Sequence, residues 1–198
     1  MRHSWLSNGR QESVAEHSWR LALLAFRWAD KLDQPVNLMT CLQMALVHDL
    51  AEAKVGDVPV FATQTKASKQ QKYASELSAM QEITASLGDL QAETMYALWN
   101  EYETQQTYES KFIKAIDKIE AFMQHNEAPI ETWESREKRM VFQSRWLYDY
   151  CVFDSFLTAV ADAVIEKAIE RLQLNQDDIA QIAAEAKAEE ALFDREYK

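Results

Sequence analysis

The sequence predicts an all-α protein built as a helical bundle, and three observations support this fold class. Only 3 glycines and 3 prolines interrupt the 198 residues. Alanine, leucine, glutamate, glutamine and lysine are frequent, and these residues favour helices. Apolar residues recur with helical rather than alternating spacing. A chain of this length can bury one substantial core, so a single domain is the default expectation.

The first two helices are predicted from their start signals. Ser13 and Glu16 form a capping-box pattern, which predicts a helix that runs to about Lys31. A second helix is predicted from about Leu38 to Ala53. The segment 54–60 carries Gly-Asp and a proline and is predicted as an ordered turn.

Helical patterns continue through most of the remaining chain. The predicted helical segments are 67–87, 90–103, 109–126 and 140–172. We expect residues 1–172 to form the domain, with residues 173–198 as a polar, alanine-rich tail that is helical or mobile.

Composition excludes several classes of function. The net charge is −11 and the pI is about 4.9, which argues against a DNA or RNA polymer as partner. No apolar run approaches the roughly 20 residues that a membrane span needs. The N-terminus lacks the apolar core of a secretory signal. Cys41 and Cys151 lie far apart without CxxC spacing, which favours a reducing compartment, the cytoplasm.

The doublet His48-Asp49 is the most informative feature, because it interrupts a helix that otherwise looks apolar. Leu42, Ala45, Leu46 and Asp49 share one helical stripe, so a carboxylate completes an apolar face. A buried carboxylate must gain a proton or find a cation. The neighbouring imidazole is the commonest metal ligand in proteins.

Two more ionisable groups interrupt apolar stripes. His17 lies between Val14 and Leu21 on the first helix, and Asp117 belongs to an inward row of a later helix that comprises Ile113, Ile116, Asp117 and Glu120. Converging imidazoles and carboxylates would make a mixed nitrogen and oxygen site for Mn, Co, Fe or Zn. Glu52 lies one helical turn beyond the doublet, and Asp57 in the next turn can fold back over the same pocket.

Each of these residues also has an ordinary structural explanation. His17 alone is more simply a core histidine, and Asp117 alone is more simply an ion-pair partner of Lys114 or Lys118. If there were no site, the side chain of Glu52 would be expected to face solvent. The joint order His, His-Asp, Asp, with each group on a helix, is what favours a metal site.

Several motifs carry a resemblance to a known family. They are ESVAEH at 12–17, LVHDLAE at 46–52, VGDVP at 55–59, LWNEYE at 98–103 and KFIKAIDKIE at 111–120. In this order the chain, over about residues 2–127, resembles the HD phosphohydrolase superfamily. It is similar to the 5′-deoxynucleotidase branch, of the HD domain-containing protein 2 type.

The resemblance implies an HD-domain helical bundle and a set of site residues. His17, His48, Asp49 and Asp117 would hold a divalent metal cation such as Mn, Co, Fe, Zn or Mg. Glu52 and Asp57 would be the carboxylates nearest the chemistry, positioning or deprotonating the attacking water and assisting the leaving 5′-oxygen. Some members are described with a second metal near Glu52, Asp57 and Val58.

The N-terminal residues 2–5 resemble the family's Arg-x-Gly-Trp segment, whose arginine lies near the substrate phosphate. Arg2 would then be a phosphate clamp, since a guanidinium grips phosphate through parallel hydrogen bonds. Relatives carry another helix before this arginine, so either the start is truncated or that helix is missing. In some bacterial members a tryptophan directly follows the arginine and discriminates against ribose, whereas His3 takes that place here.

The expected function is removal of the 5′-phosphate from (deoxy)nucleoside 5′-monophosphates by attack of metal-bound water. A homodimer is expected from the resemblance, with the apolar face of 140–172 packed against a second subunit or against the same chain. Two alternatives keep the fold: a phosphodiesterase or pyrophosphohydrolase acting on a cyclic or hyperphosphorylated nucleotide, and a non-catalytic scaffold whose acidic C-terminal helices dock a partner.

Overall fold

In a computed structural model that describes residues 2–58 and 65–197, with side chains up to residue 192, the chain is helical and the described residues form no β-sheet. The helices are α1 (Val14–Trp28), α2 (Leu38–Val47), α3 (Glu52–Val55), α4 (Lys66–Thr84), α5 (Asp89–Thr104), α6 (Tyr108–Glu127), α7 (Ser135–Met140), α8 (Tyr148–Cys151), α9 (Ser155–Leu172) and α10 (Gln176–Tyr197). Short 3₁₀ helices span Ile130–Thr132 and Ser144–Trp146. The all-α prediction is confirmed.

The chain divides into two compact units. The first comprises Met1–His3 and Gln11–Ile116, and the second comprises Ser4–Arg10 and Asp117–Lys198. The division falls within α6, so its residues up to Ile116 belong to the first unit and those from Asp117 belong to the second. In the first unit α1 packs on α2, α2 on α5, α3 on α4 and α4 on α5.

Helix α1 begins as the sequence predicts. The Ser13 hydroxyl accepts a hydrogen bond from the Glu16 amide, and the Glu16 carboxylate accepts one from the Ser13 amide at 2.9 Å. This reciprocal cap satisfies two amide groups that a helix start leaves without partners. The inward row of α1 includes His17, Leu21 and Ala25, and all three are fully buried. The helix ends at Trp28, three residues before the predicted end.

The second predicted helix is interrupted. Helix α2 ends at Val47, and the chain resumes as α3 only at Glu52. The buried row of α2 comprises Cys41, Met44 and Ala45 and is continued by His48, whereas Leu46 is 58% exposed. The predicted stripe through Leu46 and Asp49 was therefore wrong, because the inward direction follows His48 rather than Asp49.

Side chains from the turn after α2, from α4 and from α5 form a core in the first unit. Ala51, Ala79, Met80 and Trp99 are buried together, with Leu50, Leu77, Ile83 and Met95 packed around them. Trp99 is also stacked on Tyr73, with ring centroids 5.6 Å apart. This core fixes the chain directly after the His48-Asp49 doublet to α4 and α5.

The second unit contains the C-terminal helices. Within it the Gln124 side chain donates a hydrogen bond to the Trp5 carbonyl at 2.7 Å, and Arg171 donates to the Ala128 carbonyl at 2.6 Å. The prediction of continuous helix over 140–172 was wrong, since residues 141–154 contain only a 3₁₀ turn and the short α8.

Helix α10 packs on α7, and Gln143 just beyond α7 donates from its side-chain amide to the Ala186 carbonyl at 3.0 Å. The predicted boundary at residue 172 stays a prediction. None of the described helices is long and apolar enough to cross a membrane.

Candidate metal centre

Three predicted ligands converge in the first unit. The Nε2 atoms of His17 and His48 lie 3.3 Å apart. The Asp49 Oδ2 atom lies 3.2 Å from the His48 Nε2 and 3.6 Å from the His17 Nε2. His17 is fully buried and His48 is 3% exposed, so both rings are held away from bulk water.

The hydrogen bond on the other side of the His48 ring fixes which nitrogen is available. Its Nδ1 lies 2.9 Å from the Ala45 carbonyl oxygen, which can only accept a hydrogen bond. Nδ1 therefore carries a proton, so Nε2 is the nitrogen that can present a lone pair to a cation at the triad. A histidine that ligates a metal is usually oriented by such a second hydrogen bond.

The donor set fits a divalent cation. His48 Nε2 and Asp49 Oδ2 lie 3.2 Å apart, a separation that is favourable only when a proton or a cation lies between the two atoms. Metal–ligand bonds of about 2.1 Å place neighbouring ligand atoms roughly 3.0–3.4 Å apart. The observed separations of 3.2–3.6 Å suit that geometry with little rearrangement.

Glu52 is placed by the tight turn that separates α2 from α3. The amides of Leu50, Glu52 and Lys54 donate to carbonyls three residues earlier, at 3.0–3.1 Å. In such a 3₁₀ arrangement side chains three residues apart lie above one another, so Glu52 stands on the same side as Asp49. Its Oε2 atom is buried and makes no hydrogen bond within the described part of the chain.

Burial and two neighbouring carboxylates act together on Glu52. Burial raises the pKa of Glu52 most, and the negative charges of Asp49 and Asp57 raise it further, to about 8. Arg2 and Lys72 act in the opposite direction. Glu52 is therefore subject to the charges of two carboxylates and two cations.

Asp57 is held by a residue near the start of the chain. Its Oδ2 atom accepts a hydrogen bond from the His3 amide at 2.9 Å and lies 2.6 Å from the His3 Nδ1 atom. Burial by itself would raise the pKa of Asp57, but the hydrogen bonds and charge of His3, with Arg2, outweigh it and lower that pKa. The contacts of His3 thus stabilise the ionised form of Asp57, whereas burial disfavours the ionised form of Glu52.

Arg2 is buried rather than solvated, with 8% of its surface exposed. Its guanidinium Nη1 lies 3.4 Å from the Glu12 Oε2, and the Arg2 amide donates to the Glu12 carbonyl at 2.8 Å. Glu12 is fully buried. The segment before α1 therefore fixes a cation whose charge lowers the pKa of both Glu52 and Asp57.

The remaining predicted site residues lie on α6 and after α3. Asp117 succeeds Ile116 on α6, is 5% exposed, and lies 3.0 Å from the Lys118 Nζ. The ion pair that the sequence offered as its ordinary explanation is therefore present. The predicted inward row of α6 is confirmed, since Ile113, Ile116 and Glu120 are fully buried. Val58 lies in the non-helical segment after α3, while Pro59 and Val60 of the predicted turn lie outside the described residues.

Sequence reasoning missed several residues around the triad. His3 contacts Asp57, and Glu12 pairs with Arg2. The Tyr102 ring contacts the His48 ring edge-on, with centroids 5.0 Å apart, and the Lys114 Nζ lies 4.1 Å from the Tyr102 ring centroid. Lys72 pairs with the buried Glu76 on α4. Among these residues, only Lys72 and Glu76 had a local signal, their spacing of four residues.

Comparison with known proteins gives one matching family. The HD domain family matches residues 1–146. The 5′-deoxynucleotidase HDDC2 of Xenopus laevis is 38% identical over 130 residues, which are 66% of this chain and 59% of that protein. The human protein of the same name is 39% identical over 118 residues, 60% of this chain and 55% of that protein. The chain thus spans less than two thirds of the length of these relatives.

A solved structure is similar over most of the chain. The crystal structure of a "predicted metal-dependent phosphohydrolase" from Magnetospirillum magnetotacticum superposes with a TM-score of 0.68 at 26% sequence identity. The match covers 88% of this chain and 86% of that one.

Proposed function

Since this chain belongs to the HD domain family, we propose that it is a metal-dependent phosphohydrolase that removes the 5′-phosphate from (deoxy)nucleoside 5′-monophosphates. The observation that carries the proposal is the convergence of His17, His48 and Asp49 within 3.6 Å, with the other nitrogen of the His48 ring bound to the Ala45 carbonyl. The relatives named 5′-deoxynucleotidase support the choice of substrate.

His17, His48, Asp49 and Asp117 are the proposed ligands of the cation. The first three supply two imidazole nitrogens and a carboxylate oxygen, a donor set that suits Mn, Co, Fe or Zn better than Mg. Asp117 is proposed as the fourth because it is a buried carboxylate on the buried face of α6 and completes the family's order of ligands. A divalent cation at this place supplies an acidified water and offsets the charge of the phosphoryl oxygens.

Glu52 and Asp57 are the proposed catalytic carboxylates. Glu52 stands over Asp49 with a buried oxygen that makes no hydrogen bond within the described part of the chain, so it can orient the attacking water. Asp57 is held by His3 and can pass a proton from the attacking water to the 5′-oxygen as it leaves. Because His3 occupies Asp57 Oδ2, this role is better supported than ligation of a second metal by Glu52, Asp57 and Val58.

Arg2 is proposed to bind the substrate phosphate. It is a buried cation that acts electrostatically on both Glu52 and Asp57, so its charge is available where the phosphate of a bound substrate would lie. The chain's net charge of −11 makes such a local cation necessary for an anionic substrate and opposes binding of nucleic acid polymers. A homodimer in the cytoplasm completes the proposal, and light scattering on the purified protein tests its oligomeric state.

The test is phosphate release from dAMP, dGMP, dCMP, dUMP and TMP, with saturating Mn²⁺ or Co²⁺. The wild type should turn over at least one of them, and Asp49→Asn should not. Asp30→Asn is the matched control, since its carboxylate is 82% exposed and lies just beyond the end of α1.

Cyclic and 3′-pyrophosphorylated nucleotides belong in the same assay. Preference for either would replace the proposal with the phosphodiesterase or pyrophosphohydrolase alternative. Metal content without turnover of any nucleotide would reject the enzyme and favour the scaffold.

A further inference from the structure

His3 makes two hydrogen bonds to a single oxygen of Asp57. The backbone amide donates at 2.9 Å and the ring Nδ1 lies at 2.6 Å, both on Oδ2. The two residues are separated by 54 positions in the sequence, and neither lies in a helix. Both contacts lie within the first unit.

The chemistry of the pair sets the direction of the ring hydrogen bond. An ionised carboxylate can only accept, so Nδ1 must carry the proton. The Asp57 side chain is 9% exposed, and a buried carboxylate is stable only when donors satisfy it. His3 engages Oδ2 alone, which leaves Oδ1 for a reacting group.

We propose that His3 is a positioning residue for the reaction, which fixes Asp57 through Oδ2 so that Oδ1 can take the proton that the attacking water loses and pass it to the substrate's leaving oxygen. This inference rests on the proposed function and assigns a role to a side chain that the proposed function does not use. A carboxylate held by two donors loses rotational freedom, which is what general acid–base work requires.

The experiment compares His3→Ala with His3→Asn in the full-length, metal-loaded protein. The asparagine amide nitrogen stands at the same branch position as Nδ1 and can donate to Asp57, whereas alanine cannot. We expect His3→Ala to lower kcat by roughly 10- to 100-fold, with KM changed less than about twofold, because the main-chain donor persists. His3→Asn should restore most of the lost kcat.

The double variant of His3→Ala and Asp57→Asn tests whether His3 acts through Asp57. If His3 acts through Asp57, adding His3→Ala to Asp57→Asn should cause little further loss of kcat. His125→Ala is the matched control, since His125 lies on α6 in the second unit and pairs with Glu137 at 3.8 Å. It should leave kcat unchanged.

A spectroscopic readout separates positioning from folding. In protein with ¹⁵N-labelled histidine, the His3 ring should show a protonated Nδ1 with a strongly downfield proton, and this signal should move in Asp57→Asn. Equal kcat in wild type and His3→Ala, equal loss in the alanine and asparagine variants, or full additivity with Asp57→Asn would each overturn the inference. Absence of turnover in the wild type would instead overturn the proposed function, and this inference with it.

Discussion

The His17–His48–Asp49 triad and the Arg2–His3–Asp57 cluster lie in the same unit but are built in different ways. The triad stands on α1 and at the end of α2, where its rings are held by helix packing and by a backbone carbonyl. The cluster stands on segments that are not helical and is held by contacts between residues about ten or more than fifty positions apart. The proposed metal ligands of the triad thus lie on or next to helices. The residues proposed to bind phosphate and to transfer a proton lie on non-helical segments.

This difference predicts that metal binding and turnover can be separated by mutation. Changes in the triad should remove both, whereas changes in the cluster or at Glu52 should remove turnover alone. Four variants test this separation, and their expected effects decrease from the first to the last.

The largest effect is expected for His48→Ala. Loss of a nitrogen ligand should reduce bound metal to background and lower activity by more than roughly 10³-fold. Elemental analysis of the purified variant and phosphate release measure the two losses. His125→Ala, which removes a histidine from the second unit, should keep full metal content. Retained metal in His48→Ala would contradict the assignment of the triad.

Glu52→Gln should separate the two properties. The amide keeps the shape of the side chain but cannot act as a base, so activity should fall by roughly 10²–10⁴-fold. Metal content should equal that of the wild type, because Glu52 is not a proposed ligand of the cation at the triad. Loss of metal together with activity would instead place Glu52 among the ligands.

Arg2→Ala should weaken substrate binding and should also lower the stability of the fold. Removing one member of a buried ion pair leaves the carboxylate of Glu12 without this cation, and we expect the free energy of unfolding to fall by about 2–4 kcal/mol. Urea denaturation measures this loss, and Arg2→Ala combined with Glu12→Gln should recover part of it. KM for the 5′-monophosphate should rise in both variants, since neither restores the cation for phosphate. An unchanged KM would remove Arg2 from the substrate site.

The smallest effect is a pH-dependent change in stability caused by His3→Ala. Asp57 has a pKa below its ordinary value in the folded protein. Such a group adds stability above its unfolded pKa of about 3.9, and that stability is lost as pH falls through the folded value. The difference in unfolding free energy between wild type and His3→Ala should therefore be about 1 kcal/mol near pH 5 and should shrink toward pH 3.

Urea denaturation at the two pH values measures this difference. When His3→Ala is added to Asp57→Asn, the loss of unfolding free energy should be the same at pH 5 and pH 3. A difference that grew as the pH fell would contradict the sign of the Asp57 shift.

The burial of His17 could be predicted because helical spacing is a local signal, whereas the stripe through Leu46 and Asp49 was wrong because α2 ends at Val47. Ser13 and Glu16 mark the start of α1, and the phase of α1 then carries His17 inward. The fold class could be predicted in the same way from apolar periodicity and from the scarcity of glycine and proline. The family motifs supplied the roles of Glu52 and Asp57, which spacing alone left open.

The features that were not predicted depend on backbone geometry or on distant contacts. The break after Val47 has no glycine or proline to mark it, so residues 48–51 look like a continuing helix. The hydrogen bonds of His3 join two segments whose proximity only the folded chain creates. The exposure of Leu46 could not be predicted either, because the direction of burial is set by packing rather than by the residue's own hydrophobicity.

The tight turn over residues 48–51 also fixes the angular phase of α3. In a 3₁₀ turn each residue advances the chain by about 120°, so a deletion of Leu50 would swing the carboxylate of Glu52 about a third of a revolution away. His17, His48 and Asp49 precede that point and would keep their places. Such a variant should still bind the proposed cation but lack the carboxylate that is proposed to orient the attacking water, so one deleted codon would separate metal binding from turnover.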